Sequence, residues 1–276
     1  MTRPLILITN DDGIDSPGLA ALAAALDGLG DLLIIAPAHQ QSGMGRSMPP
    51  FYDGRIYEVT IGLDGASWKA YRANVSPAQA VQYGILELAD RVPSLAVSGI
   101  NYGENVGTGV TVSGTVGAAM EAAAHGIPAL AVSLQVPDPA MHLNNDASVD
   151  FSVAMYFTRY FAERWLRARR PPEVDLLKVD IPAGATRQTP WRLTRLERGA
   201  YFRPLKPTRV RLDEEWRLGY EINRELNLAA DSDAAVLSQG MISVTPLTID
   251  ITANIRRDTL RALLEDAPAD SATNEA

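Results

Sequence analysis

The chain of 276 residues contains no cysteine. That excludes disulfides, thiolate metal sites and cysteine nucleophiles, and it removes any compositional argument for an oxidising compartment. Histidine is almost as scarce. His39, His125 and His142 are the three present, and their spacing makes no ligand pair, which disfavours zinc. Positive charge is in deficit, with 25 Lys and Arg against 33 Asp and Glu and a formal net charge of −8. Such a surface repels polyanions, so a nucleic-acid polymer is a poor partner. Long apolar runs are missing as well. The first one, residues 5–8 after Met1-Thr2-Arg3-Pro4, is too short for a signal h-region or a membrane span, and no later stretch is long enough. The expectation is a cytoplasmic protein with no membrane partner.

What is present is an ordinary globular composition, 46% hydrophobic and 21% charged, in a chain long enough to bury a large core without covalent staples. Residues 5–8 form a continuous apolar run that ends in turn residues, the pattern of a strand buried on both faces of a parallel sheet. Ser16-Pro17-Gly18 starts a helix, with Ser16 as the cap and Pro17 in the first turn. Residues 32–36 read as a second buried strand stopped by Pro37, which completes a βαβ unit. The alternation continues with a helix over 76–89, a short strand over 95–98 that ends before Gly99, and an alanine-rich helix over 113–125 closed by Gly126. A strand over 129–134 and a helix over 149–169 follow. Beyond residue 176 the alternating patterns at 191–196, 216–222 and 241–251 predict antiparallel strands. There is no internal repeat. The fold class is therefore α/β, a mostly parallel sheet flanked by helices. A core over about 1–182 and a β-rich extension over about 183–264 make one domain, and the small, polar, acidic residues 265–276 form a disordered tail.

In an open α/β sheet, ligands bind beyond the carboxyl ends of the strands. Three polar clusters follow predicted strands: Asn10-Asp11-Asp12-Gly13, Gln41-Ser42-Gly43, and Ser98-Gly99-Ile100-Asn101. Together they offer two carboxylates, a hydroxyl and an amide. Mg²⁺, Mn²⁺ and Ca²⁺ prefer such oxygen donors. Adjacent carboxylates in a regular strand point to opposite faces, so Asp11 and Asp12 converge only if the chain has already turned, which Gly13 makes easy. On its own, Asp-Asp-Gly is equally an acidic turn. The third cluster extends as a glycine-rich loop to Ser113-Gly114-Thr115, which opens the alanine-rich helix. A helix start is an anion site, and the hydroxyls of Ser113 and Thr115 add donors. A cation facing an anion site implies phosphate-ester hydrolysis by a metal-activated water, and the cation is needed so that the acidic pair does not repel the phosphate.

At these residues the sequence resembles the SurE family. The resemblance is carried by Thr9-Asn10-Asp11-Asp12-Gly13, Ala36-Pro37 with Gln41-Ser42-Gly43, Ser98-Gly99-Ile100-Asn101, Ser113-Gly114-Thr115-Val116-Gly117-Ala118-Ala119-Met120-Glu121, and Ser243-Val244-Thr245-Pro246-Leu247. It implies a Rossmann-like core with a smaller β-rich region, including a hairpin exchanged between the subunits of a homodimer or homotetramer. It implies one divalent ion per subunit, Mg²⁺ or Mn²⁺ with Ca²⁺ as a crystal substitute, held by Asp11, Asp12, Ser42 and Asn101. Asp11 and Asp12 are then the catalytic pair, and Gly43, Asn105, Ser113 and Thr115 contact phosphate. Nucleoside 5′-monophosphates are the implied substrates. The chain departs from the family pattern at Asn74-Val75-Ser76-Pro77-Ala78-Gln79, where the usual acid is missing, and at Ser47-Met48-Pro49. It departs again at Lys178-Val179-Asp180-Ile181-Pro182, where the family usually has two asparagines.

Other residues stay open at this stage. His125 caps the alanine-rich helix, and His39 is near enough to Ser42 to assist a leaving group. Tyr102 either stacks on a base or packs on a neighbour, and Arg46 is a phosphate contact or a solvated loop charge. A non-catalytic nucleotide sensor would not need the full oxygen donor set. A metal-dependent deacetylase would need histidine ligands, and an aspartyl-phosphate enzyme would need Asp-x-Asp rather than adjacent acids.

Overall fold

The structure is a computed structural model that describes residues 3–137 and 145–265. The expected tail beyond residue 265, and His142, lie outside the described residues. The chain opens with β1 (Leu5–Thr9), α1 (Pro17–Leu26) and β2 (Asp31–Pro37). A hairpin follows, β3 (Ile56–Leu63) and β4 (Ala66–Ala73), and then α2 (Pro77–Tyr83), extended by a wider turn over Gly84–Leu88. Next come β5 (Leu95–Tyr102), α3 (Gly114–Ala124), β6 (Ala129–Leu134), α4 (Ser152–Arg167) and β7 (Leu176–Ile181). The C-terminal part holds β8 (Trp191–Leu193), β9 (Phe202–Pro204), β10 (Tyr220–Ile222), α5 (Asp233–Ser238), β11 (Ile242–Leu247) and α6 (Arg257–Glu265).

The main sheet has nine strands in the order β3-β4-β2-β1-β5-β6-β7-β11-β8. Its centre, β2-β1-β5-β6-β7, is parallel throughout. The apolar run of β1 explains why. Ile6 and Ile8 point into one core layer with Leu19, Leu22 and Phe157, and Leu5 and Leu7 point into the other with Val81, Val116 and Ala119. A strand covered by helices on both faces has no reason to alternate polar with apolar. Ser16 caps α1, its side chain accepting from the Gly18 N–H, and Ser76 and Gln79 form a reciprocal capping box on α2.

The structure corrects the sequence reading in three places. β5 does not stop before Gly99. It runs on to Tyr102, and its ladder with β6 shifts register between Ser98 and Asn101, so Asn101 is a strand residue. β8 pairs parallel with β11, and among the described residues of this half the antiparallel pairs are β11–β7 and β9–β10. The β3–β4 hairpin at the sheet edge was not anticipated, although Asp64-Gly65 at its tip has the positive φ values (49° and 85°) of a two-residue hairpin turn. Also unanticipated is α6, whose residues are all exposed. Among the described residues no helix is long and apolar enough to cross a membrane.

Candidate metal centre at the strand ends

The site is built where β1 and β5 end side by side. The Asn10 amide closes the turn after β1, its Nδ2 donating to the Gly13 carbonyl at 3.0 Å while its Oδ1 accepts from the Gly13 N–H at 3.2 Å. This turn frees Asp11 and Asp12 from strand alternation. Both are buried, 4% and 1% exposed, which is unusual enough for carboxylates to demand compensation.

Asp11 faces α3. The buried Thr115 hydroxyl donates to its Oδ1, and Asn101 Oδ1 lies 3.1 Å from the same hydroxyl. Both hydrogens of the Asn101 amide are committed, to the carbonyls of Tyr102 (3.1 Å) and Gly103 (2.8 Å). That fixes which way the amide points, with its oxygen toward Thr115 and Asp11. Gly114 allows α3 to come this close, since a Cβ there would stand 2.6 Å from the Asp11 side chain. The positive end of the α3 dipole therefore lies against Asp11.

Asp12 accepts from Gln40 Nε2 at 3.3 Å and from the Tyr102 N–H at 3.4 Å. Burial, followed by the neighbouring Asp11 carboxylate, pushes its pKa from 3.8 up to about 8. The Gln40 and Tyr102 hydrogen bonds pull the other way but do not prevail.

Ser42 lies on an exposed turn. The turn is tied to the acidic pair twice, through Gln40 and through the Gln41 N–H, which donates to the Asp11 carbonyl at 2.6 Å. It also rests on α3, where the absence of a Cβ at Gly117 lets Gly45 approach. Gly43 sits in this turn at φ 77°, with open space beside it.

The residues expected at phosphate divide. Ser113 caps α3, its Oγ accepting from the Val116 N–H at 3.1 Å. Thr115 is turned inward onto Asp11 and Asn101. The Asn105 amide donates to Ser133 Oγ at 2.8 Å. Arg46 is not a solvated loop charge, because its Nε pairs with the buried Glu121 at 2.7 Å. Tyr102 packs edge-on against Phe151, and its hydroxyl donates to the Asp146 carbonyl. His125 does occupy the C-cap of α3, with its ring 3.2 Å from Glu121. His39 is exposed.

Sequence reasoning missed three contributors. Gln40 orients Asp12, Ser133 holds Asn105, and Lys178 with Asp180 and Asp233 forms a fully buried ion cluster. A signal for the last was available. Lys178 and Asp180 are charges at i and i+2, on one face of an otherwise apolar strand.

Among the described residues no three His, Cys, Asp or Glu side chains gather at one point. The donors brought together are two carboxylates, an amide oxygen and the Thr115 hydroxyl, all hard oxygens, and a buried acidic pair resists full ionisation without a cation. That set fits a hard divalent cation.

The comparisons with known proteins identify the family and the fold. The family model described as "Survival protein SurE" matches residues 6–203. The "5′-nucleotidase SurE" of Methanothrix thermoacetophila is 42% identical over 267 residues, covering 94% of this chain and 98% of its own. That of Archaeoglobus fulgidus is 41% identical over 256 residues, covering 92% and 94%. The crystal structure of the SurE protein from Aquifex aeolicus superposes with a TM-score of 0.74 at 28% identity, covering 95% of this chain and all of that one. With the family model matched over most of the chain and near-full-length relatives above 40% identity, the chain belongs to the SurE family.

Proposed function

We propose that this chain is a metal-dependent 5′-nucleotidase that hydrolyses nucleoside 5′-monophosphates to nucleoside and phosphate. The observation that carries the reading is the convergence of Asp11, Asp12 and Asn101 at adjoining strand ends, against the first turn of α3. Relatives that match nearly the full chain carry the name 5′-nucleotidase SurE.

In this reading Asp11, Asp12, Asn101 and Ser42 hold one divalent ion, Mg²⁺ or Mn²⁺. When bound, the ion supplies a Lewis acid for a phosphoryl oxygen and acidifies a water to serve as nucleophile. The protein's own groups do the rest. Thr115 orients Asp11 and Asn101, and Gln40 orients Asp12. The start of α3, the Gly43 turn, Ser113 and Asn105 face the phosphate and hold it for in-line attack. Thr115 enters as an orienting group, since its hydroxyl already serves Asp11.

The enzyme works as a homo-oligomer. Phe202, Leu205, Leu218 and Tyr220 in and beside the β9–β10 hairpin, with Leu263 and Leu264 on α6, expose apolar surface that a second copy would cover. Light scattering on the purified protein reads the subunit number directly.

The deciding experiment is a phosphate-release panel over nucleoside 5′- and 3′-monophosphates, an aryl phosphate and polyphosphate, with and without divalent ions. Hydrolysis of 5′-monophosphates that chelator silences and Mg²⁺ or Mn²⁺ restores is the expected result. Full turnover in excess chelator rejects the metal role, and failure on every phosphate ester rejects the function.

A further inference from the structure

Lys178, Asp180 and Asp233 are each 0% exposed. Lys178 Nζ hydrogen-bonds Asp180 and lies 3.0 Å from Asp233. A buried ion cluster is rarely a net source of stability, because desolvation offsets most of the attraction. Its retention invites a search for what else the carboxylates hold.

They hold the glycine-rich loop that leaves β5. Asp180 Oδ1 accepts from the Asn105 N–H at 2.8 Å, and Asp233 Oδ2 accepts from the Gly107 N–H at 2.9 Å. The other Asp233 oxygen accepts from the N–H groups of Glu197 and Ala234, both at 2.9 Å, which ties in the C-terminal part of the chain. The same loop is gripped at Gly103, whose N–H donates to the Leu134 carbonyl at 2.7 Å, and at the Asn105 side chain, which donates to Ser133. The Gly103 carbonyl, two residues before Asn105, accepts from the Asn101 amide and so aims its oxygen at Thr115 and Asp11. Hydrogen bonds therefore link Lys178 to Asp180 and Asp180 to the Asn105 N–H, the backbone carries the connection from Asn105 back to Gly103, and a further hydrogen bond joins the Gly103 carbonyl to Asn101.

We propose that Lys178, Asp180 and Asp233 are positioning residues for the nucleotidase site, a charge-compensated anchor that fixes the 103–107 loop and through it the placement of Asn105 and Asn101. This rests on the function proposed above. Lys178 favours carboxylates here, since burial still holds the Asp180 carboxyl above its usual range while the ammonium and the Asn105 N–H pull it back toward the charged form. Burial lowers the Lys178 pKa, but Asp180 and Asp233 more than reverse that, so the ammonium stays charged. Carboxylates accept backbone N–H bonds more strongly than neutral amides do, which makes this grip stiffer than a pair of asparagines would be.

The test compares Asp180→Leu, which removes the acceptor, with Asp180→Asn, which keeps an oxygen for the Asn105 N–H. With Mg²⁺ and a nucleoside 5′-monophosphate, Asp180→Leu should raise KM about tenfold or more, the scale of one buried donor left without its acceptor, and Asp180→Asn should recover part of it, since its oxygen can serve the Asn105 N–H while its NH2 replaces the oxygen that accepts from Lys178. Mn²⁺ affinity, read by calorimetry without substrate, should fall in Asp180→Leu as Asn101 loses its aim. A role in packing alone would lower the melting temperature and the folded fraction while leaving KM and Mn²⁺ affinity at wild-type values, and that result overturns the proposal. Should Asp180→Leu not fold, hydrogen exchange decides on the wild-type protein and Asp180→Asn. The Asn105 and Gly107 amides should be protected in the former, with Asn105 exchanging faster in the latter and α1 unchanged. Exchange at Asn105 and Gly107 as fast as in an open loop overturns it. A wild-type protein without phosphatase activity refutes the function instead, and the exchange arm still tests the anchor.

Discussion

Gly114→Ala isolates the acidic pair from the stability of the fold. Gly114 is the first residue of α3 and lies outside the left-handed region, so its backbone accepts an L side chain. Judged locally, alanine is the better residue, since Gly→Ala in a helix is worth up to about 1 kcal/mol. The new Cβ, however, would lie 2.6 Å from both Cβ and Oδ2 of Asp11 and 3.0 Å from Cγ, well inside the 3.4 Å at which ordinary contact begins. Asp11 must retreat by ~0.8 Å or α3 must tilt, and either breaks the alignment with Thr115 and Asn101. A misplacement of about 1 Å at a reacting centre costs on the order of 100-fold in rate, while overpacking costs about 1–3 kcal/mol of stability against the helix gain. The variant should therefore melt within a few degrees of wild type in chelator, bind Mn²⁺ at least about tenfold more weakly by calorimetry, and lose about 100-fold in kcat/KM on a nucleoside 5′-monophosphate. A folded Gly114→Ala protein with wild-type Mn²⁺ affinity and kcat/KM within about threefold of wild type would refute the placement of Asp11 in the metal centre.

Other expectations follow from the same geometry. Thr115→Val keeps the shape and removes the hydroxyl that aligns Asp11 with Asn101, so metal affinity should drop about 10–100-fold with little change in melting temperature; an unchanged affinity would leave Thr115 without the orienting role. Asp12→Asn should abolish phosphate release yet raise the melting temperature of the metal-free protein at neutral pH, because it removes a carboxyl that burial and Asp11 force to take up a proton on folding; a less stable metal-free variant would contradict that origin of the shift. The pKa of Asp12 is raised in the folded state, so its contribution to metal-free stability is full below about pH 4 and is lost as pH rises through about 8. Metal binding then expels a proton, and log affinity for Mn²⁺ should rise by about one per pH unit between pH 6 and 7.5; a flat profile would show that Asp12 is already ionised there.

The fold was legible wherever one physical signal dominated. Residues 5–8 and 129–132 are apolar without interruption because helices cover both faces of their strands, and Ser16-Pro17 and Ser76-Pro77 mark helix starts by capping chemistry. Legibility failed where pairing partners decide the outcome. Whether residues 191–193 lie parallel or antiparallel to β11 depends on a connection that alternation does not encode. The end of β5 was misjudged because Gly99 reads as a stop, whereas the strand shifts register there and continues. In the site, oxygen chemistry and position after a strand pointed to Asp11, Asp12 and Asn101, and the structure brings these three together. Residue types alone could not say where Thr115 and Arg46 point. A hydroxyl at a helix start suits a phosphate as well as a carboxylate, and an arginine suits a phosphate as well as an acid; tertiary packing brings the Thr115 hydroxyl to Asp11 and the Arg46 Nε to Glu121.

The two buried acid groups beside this sheet edge show how an acidic protein can receive an anion. Asp180 and Asp233 are compensated from within by Lys178, which leaves them free to grip backbone N–H groups and hold a loop still. At Asp12 the two largest influences, burial and Asp11, both oppose ionisation, so the full charge of that pair develops only when a cation arrives. A nucleoside monophosphate brings about two further negative charges at neutral pH. It therefore meets a repulsive site without metal and a neutralised one with it, so metal and substrate binding must be positively coupled, each tightening the other by the same factor. A substrate affinity that did not depend on metal would place the phosphate away from Asp11 and Asp12.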